Sequence, residues 1–171
     1  MEKHINTKNY IILGALIIIT VFATFYARSW YNATKEYNAE PSIMLTLVGE
    51  INPNEIGNYM LESSNFILYA APSENNQIKS FERTFKSYIL KQNLEDSILY
   101  INTDNYTNDE LENQLKAYSD KTLENQIKIN NNATIFIVKD QKITYVIKNV
   151  NKLSIKDIHS YLKSYGVITN D

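Results

Sequence analysis

FILYAAPSENNQIKSF, residues 66–81, carries the strongest structural signal in this chain. Its first six residues form a continuous apolar run of the length expected for a central buried strand. Pro72 and Ser73 then form a turn that leads into a helix, predicted over residues 76–91. Four apolar residues at helical spacing define the inward face of that helix: Ile78, Phe81, Phe85 and Ile89. The pattern predicts a buried strand followed directly by an amphipathic helix.

The composition is that of a compact chain. With 171 residues there is room for one domain plus appendages. A hydrophobic fraction of 44%, with only 4 Gly and 3 Pro, excludes a disordered chain. The net charge is -2 and no basic block occurs, so we expect no nucleic-acid partner. The sequence contains no cysteine, which excludes disulfide bonds and all thiol chemistry.

An apolar segment near the N-terminus, residues 10–30, has the properties of a membrane span. It has no charge from Tyr10 to Tyr26, and its extension to Trp30 gives the ~20 residues that a helix needs to cross a hydrocarbon core of ~30 Å. Tyr26, Trp30 and Tyr31 are aromatic residues of the kind found at the membrane–water interface. We predict a transmembrane anchor over residues 10–30. A buried core helix and a cleaved signal peptide are the alternatives.

The residues around this segment predict its orientation. Two lysines precede it, which favours a cytoplasmic N-terminus over residues 1–9, and Arg28 at the other end of the segment reduces that bias. The polar stretch at residues 31–41 has no apolar stripe and ends at a proline, so it is predicted to be a linker. The remaining residues, 42–171, have the length of a typical single domain. The chain is expected to cross the cell membrane once, with this domain outside the cytoplasm.

Strand-like and helical segments alternate within residues 42–171. Strands are predicted at five positions: residues 43–48, 66–71, 97–102, 134–138 and 143–147. Helices are predicted over residues 52–62 and 76–91, and from capping residues at 107 and 154. The last two strands are separated by four polar residues and are predicted to pair as a hairpin. The order βαβαβαββα predicts an α/β fold with a central mixed sheet flanked by helices.

This element order is that of thioredoxin, and one segment of the chain resembles a subgroup of thioredoxin-like proteins. Residues 66–81 are similar to the corresponding stretch of membrane-associated thioredoxin-like proteins of Gram-positive bacteria, including the bacteriocin transport accessory proteins. Those proteins share the pattern FxxYxxxPxCxxCxxF, which aligns here on Phe66, Tyr69 and Phe81. The resemblance covers about residues 43–165. It implies a thioredoxin-like fold and a role beside a membrane export system.

The same alignment shows that the redox residues of the pattern are missing. Its two cysteine positions fall on Asn75 and Ile78, and its proline falls on Ser73, one residue after Pro72. A thioredoxin-type cysteine reacts because a helix N-terminus stabilises its thiolate. Asparagine has no such chemistry but is among the best helix N-caps, so Asn75 is predicted to cap the helix. Ile78 is predicted to belong to the core.

Two further features of thioredoxins are replaced. The cis-proline that faces the active site in the family corresponds to Ala133, in the segment NNATIFIV. A cis bond before a residue other than proline costs ~3 kcal/mol, so we predict a trans bond between Asn132 and Ala133. The buried acid that serves proton transfer in thioredoxin corresponds to Tyr69. The resemblance and these departures together imply a redox-inactive protein.

Other chemistry receives little support from the sequence, and we expect no metal and no cofactor. His4 and His159 are too isolated to form a histidine-based metal site. Ser73 lies at a strand-to-helix turn, but a nucleophile elbow needs flanking glycines and a histidine partner, and neither lies nearby. Four acids crowd the start of one predicted helix: Asp104, Asp109, Glu110 and Glu112. They are expected to complement the helix dipole, with calcium coordination as the alternative.

The former active-site face is the surface on which we expect binding. Its residues are Pro72, Ser73, Asn75, Asn76, Gln77, Ile78, Asn132 and Ala133. In redox-active relatives the backbone beside the cis-proline holds an extended peptide, and Asn and Gln side chains could hydrogen-bond a peptide without reacting with it. We therefore expect a non-enzymatic accessory protein with a protein or peptide partner. The alternatives are a structural subunit of a membrane complex, a cysteine-free enzyme, or a solvated loop without function.

Overall fold

The computed structural model describes residues 7–38 and 42–168, and the chain forms two compact units, Met1–Ala39 and Glu40–Asp171. The first unit contains helix α1, Thr7–Asn38. Its segment Tyr10–Tyr31 has a mean hydropathy of 2.3, and none of that segment is buried. The length and composition suffice to cross a membrane, but a signal sequence near an N-terminus has the same properties.

Helix α1 is longer than the sequence indicated. The stretch over residues 31–41 was expected to be a linker, but the helix continues through it as far as Asn38. A helix that has already formed extends at little cost through residues such as Lys35 and Glu36, which are good helix formers. The role of this segment as a linker stays a prediction. Residues 39–41 of the predicted linker, and residues 1–6 of the predicted cytoplasmic terminus, lie outside the described residues.

The second unit contains a five-stranded mixed sheet, as predicted. Its strands are β1 Gly49–Glu50, β2 Phe66–Ala71, β3 Ile98–Asn102, β4 Thr134–Lys139 and β5 Lys142–Ile147. Their spatial order is β1-β3-β2-β4-β5. Strands β1, β3 and β2 are parallel, whereas β4 runs antiparallel to β2 and pairs with β5 as the predicted hairpin. All six residues of β2 are buried at the centre of the sheet.

Helices cover both faces of this sheet. They are α2 Ile56–Glu62, α3 Asn76–Gln92, α4 Asn108–Lys116 and α5 Ile155–Ser164. One apolar cluster joins the sheet to α3 and α5 through side chains such as Phe85 and Ile158. A second cluster joins the opposite face to α2 and α4 through side chains such as Met60 and Leu111. The predicted α/β architecture is confirmed.

The first strand was predicted wrongly. Residues 43–48 were expected to be extended, but Ile43–Thr46 is a short 3-10 helix and β1 has only two residues. The cause is Ser42, whose hydroxyl accepts a hydrogen bond from the Met44 N–H and donates to the carboxylate of Glu82. These contacts curl the chain and bury Met44 completely, against the β propensity of the segment.

The predicted helix starts are mostly confirmed. Asn52 caps the chain at Pro53, but the first turn is a 3-10 helix and α2 begins only at Ile56. The hydroxyl of Thr107 accepts the Glu110 N–H at 3.3 Å at the start of α4. Ser154 forms a complete capping box for α5. Local polar spacing therefore located the helix starts to within a few residues.

Candidate binding site at the strand-to-helix junction

The strand-to-helix junction lies between the end of β2 and the first turn of α3. Asn75 occupies the N-cap position, and its Oδ1 atom accepts the N–H groups of Gln77 at 2.9 Å and Ile78 at 3.3 Å. Asparagine at this position satisfies helix donors that otherwise have no partner. The prediction that Asn75 is an ordinary cap is confirmed.

Asp104 holds the turn that precedes the helix. Its Oδ2 atom accepts the Ser73 N–H at 2.7 Å, the Ser73 hydroxyl at 2.9 Å and the Glu74 N–H at 3.2 Å. The side chain of Asn102 also donates to the Ser73 hydroxyl, at 3.3 Å. The Ser73 hydroxyl is therefore bound to a carboxylate and an amide, and no histidine contacts it among the described residues. Asp104 thus belongs to this junction and not to the helix start for which the sequence suggested it.

In the facing loop, residues 130–133, backbone groups also form hydrogen bonds with other residues of the chain. The Asn132 N–H donates to Asn130 Oδ1 at 2.9 Å, and the Ala133 N–H donates to Asn151 Oδ1 at 3.0 Å. The Ala133 carbonyl accepts the Val150 N–H at 2.9 Å. A peptide could pair with these backbone groups as a strand only by displacing those bonds. No cis bond occurs in the described residues, so the bond before Ala133 is trans, as predicted.

One hydrogen bond joins the two halves of the junction. The Asn75 Nδ2 atom donates to the carbonyl oxygen of Asn131 at 3.2 Å. The cap residue therefore uses both ends of its amide, one on its own helix and one on the facing loop. We call the surface formed by residues 72–78 and 130–133 the junction face.

The eight predicted site residues differ in exposure. Pro72, Ile78 and Ala133 are buried and support the surface from below. Ser73, Asn75 and Asn132 are half-buried, and Asn76 and Gln77 are exposed. The neighbouring residues Glu74, Asn130 and Asn131 are exposed as well. The junction face thus presents mainly side-chain amides to solvent.

A buried carboxylate lies in α3, one turn after Ile78 of the junction face. Glu82 of α3 has no exposed surface, and its carboxylate accepts the Ser42 hydroxyl at 2.9 and 3.0 Å and the Ile43 N–H at 3.1 Å. The Tyr69 hydroxyl donates to it at 3.1 Å. Burial raises the pKa of Glu82 above its ordinary value, and these hydrogen bonds offset the rise only in part. Burial also raises the pKa of Tyr69 well above its ordinary value.

A second buried carboxylate lies in α4. Glu112 of α4 is 6% exposed, and its Oε1 atom accepts the Ile129 N–H at 2.9 Å. Its Oε2 atom forms salt bridges with Lys116 at 3.1 Å and Lys128 at 3.2 Å. Burial acts to raise the pKa of Glu112, but the bonds from Ile129 and the two lysines outweigh it and leave the pKa below its ordinary value.

The sequence analysis did not identify Glu82, Asn102 or Asn151 as supporting residues. It named Glu112 as an acid near a helix start and did not predict that its side chain is buried. Glu82 could have been found, because it lies four residues after Ile78 on the apolar face of α3. The position of Asp104 could also have been predicted, because β3 pairs in parallel with β2 and the carboxyl ends of parallel strands meet at one edge of a sheet. Among the described residues, no group of three or more His, Asp or Glu could hold a metal ion.

The fold and the junction define a protein of thioredoxin-like architecture that contains no cysteine. No protein-family model matches the chain, and no curated protein matches its sequence. A solved structure, thioredoxin f2 of Chlamydomonas reinhardtii, superposes with a TM-score of 0.51 at 9% sequence identity. The match covers 71% of this chain and 99% of that one. At this identity the similarity shows the fold alone.

Proposed function

We propose that this chain is a membrane-anchored, redox-inactive accessory protein that binds another polypeptide non-covalently through the junction face. The observation that carries the proposal is the bond network at Asn75, where a redox relative would carry its nucleophile. The amide of Asn75 caps α3 and crosses to Asn131, so the surface is held in one geometry without a reactive group. A surface fixed in this way loses little conformational entropy when a partner binds.

Hydrogen bonding by side chains is the binding mode that the junction face favours. The backbone N–H groups at residues 73, 74, 132 and 133 already have acceptors within the chain. The exposed groups that remain for a partner are the side chains of Asn76, Gln77 and Asn131 and the amide nitrogen of Asn130, beside the carboxylate of Glu74. We therefore expect recognition of an exposed loop or extended segment through amide contacts, and not the addition of a strand beside Ala133.

The proposed location follows from the apolar helix α1. We propose that it stays attached as a single-pass anchor with the N-terminus inside and the thioredoxin-like unit outside the cytoplasm. Support comes from the uncharged span and the two lysines that precede it. The resemblance of residues 66–81 to bacteriocin transport accessory proteins suggests export or secretion as the setting. A chain without cysteine needs no oxidising or reducing partner in that compartment.

The test compares two double variants of the full-length chain in its native membrane. Asn76→Lys/Gln77→Lys alters the junction face, and Asn125→Lys/Gln126→Lys makes the same exchange at exposed positions that do not belong to it. All four side chains are exposed, so both variants should fold. After mild detergent extraction, we expect a co-purifying protein to be lost from the first variant and kept by the second.

A partner kept by both variants would contradict binding at the junction face. It would instead favour the membrane helix as the contact and a structural subunit as the function. Replacing residues 10–30 with an unrelated apolar helix of equal length then tests that alternative, because only a helix-mediated partner would be lost.

A further inference from the structure

An open groove runs between α3 and α5, at the end of α3 opposite the junction face. We call it the α3–α5 groove, and its volume is about 1090 Å³. Lys91 lies on the α3 side, whereas Lys156 and His159 lie on the α5 side. Tyr88, Ile155 and Val167 contribute apolar surface between them. Small-molecule pockets usually occupy about 300–1,000 Å³, so this open groove is large enough for a short extended segment.

The charge of the α3–α5 groove differs from that of the whole chain. The chain has a net charge of -2, yet no Asp or Glu is among the residues that line the groove. The acids Glu95 and Asp96 follow the groove residue Leu94 in sequence but do not line it. Lys91 and Lys156 are exposed, and neither forms a salt bridge with any residue in the described ranges. A net negative chain therefore has a groove with cations on both walls.

The wall residues are held in place by contacts inside the unit. The Tyr88 hydroxyl lies 3.2 Å from His159 Nδ1, and the two rings meet edge to face at 6.0 Å. Burial raises the pKa of Tyr88 to about 12, so its hydroxyl keeps its proton. This contact joins α3 to α5 and fixes the spacing of the two walls.

We infer that the α3–α5 groove binds an acidic polypeptide segment, whose carboxylates face Lys91 and Lys156 while its backbone lies on the apolar surface between them. The inference adds a second contact surface to the proposed function. It does not depend on the junction face, because the two surfaces share no residue. Opposite charges across such a contact steer association and select the partner more than they raise its affinity.

The experiment measures binding of a defined probe to the full-length chain in non-ionic detergent. The probe is a fluorescein-labelled octapeptide of alternating Glu and Val, and the matched neutral peptide has Gln in place of Glu. Fluorescence anisotropy at low ionic strength should show binding of the Glu peptide only, and added salt should weaken it. Binding of neither peptide, or of both equally, would overturn the inference.

A pair of variants locates the binding. Lys91→Gln/Lys156→Gln should weaken binding about tenfold, because two exposed charge pairs are lost. Lys121→Gln/Lys148→Gln removes the same charge from exposed positions outside the groove and should change binding by less than about twofold. Equal losses in both variants would show a diffuse charge effect and overturn the inference. Displacement of the peptide by inorganic phosphate at constant ionic strength would identify a small anion as the ligand and would also overturn it.

Discussion

Two buried carboxylates, one in α3 and one in α4, have pKa values that folding shifts in opposite directions. Glu82, in α3, accepts hydrogen bonds from the Ser42 hydroxyl, the Ile43 N–H and the Tyr69 hydroxyl, and burial raises its pKa. Glu112, in α4, binds two lysines and a backbone N–H, and its pKa is lowered. Both carboxylates fix backbone segments that are distant in sequence.

Removal of Glu82 should have the largest effect on the free energy of unfolding. Glu82→Ala should lower the free energy of unfolding by about 4 kcal/mol, because the donors of Ser42, Ile43 and Tyr69 all remain buried without an acceptor. Urea unfolding of the full-length chain, followed by near-ultraviolet circular dichroism of the tyrosines, measures the loss. The control Glu62→Ala, at an exposed helix end, should change the value by less than about 0.5 kcal/mol. Similar losses in both variants would contradict the role of Glu82.

Removal of Glu112 should cost less. In Glu112→Ala the Ile129 N–H loses its acceptor, but Lys116 and Lys128 extend to solvent and can be hydrated there. We expect a loss of about 1–2 kcal/mol. Amide hydrogen exchange should quicken at Ile129 and in residues 130–133, while the amides of β2 keep their protection. A loss of stability equal to that of Glu82→Ala would contradict the expected difference between the two carboxylates.

Substitutions of Asn75 separate its two contacts. Asn75→Ala removes the helix cap and should cost about 1 kcal/mol. Asn75→Asp keeps a capping oxygen but loses the Nδ2 donor to Asn131, so the cap should survive while the loop at residues 130–133 exchanges its amides faster. If loop exchange is unchanged in Asn75→Asp, the bond across the junction has no part in fixing the surface.

The smallest expected effects are on pH dependence, and they have opposite signs. Folding raises the pKa of Glu82, so the wild type gains stability relative to Glu82→Gln as the pH falls from neutral toward 4.5, the ordinary value. Folding lowers the pKa of Glu112, so the advantage of the wild type over Glu112→Gln should be lost as the pH falls below 4.5. Unfolding measured across this range tests both slopes, and slopes of the same sign would contradict the contrast.

Sequence patterns predicted the elements whose causes are local. The apolar run of β2, the spacing of Ile78, Phe85 and Ile89 on α3, and the capping box at Ser154 each depend on residues within a few positions of one another. The segment 43–48 was predicted wrongly because Ser42 binds Glu82, forty residues away. A sequence pattern within one segment cannot show that a residue forty positions away will bind it.

The candidate site also has some features with local causes and others that depend on residues distant in sequence. The cap at Asn75, the core position of Ile78 and the trans bond at Ala133 followed from the resemblance and from local chemistry. The bond from the Ala133 N–H to Asn151 did not, because it requires the return of the chain after β5. Only the folded chain shows that strand-like pairing beside Ala133 is already blocked.

We propose that the junction face contacts another polypeptide without reacting with it. The most direct test places a photo-reactive phenylalanine analogue at Asn76, and in a separate chain at Asn125, and irradiates the native membrane. Both positions are exposed, so the label itself should be tolerated. We expect a crosslinked protein from position 76 and none of the same mass from position 125. A crosslink from position 125 alone, or from neither position, would contradict it.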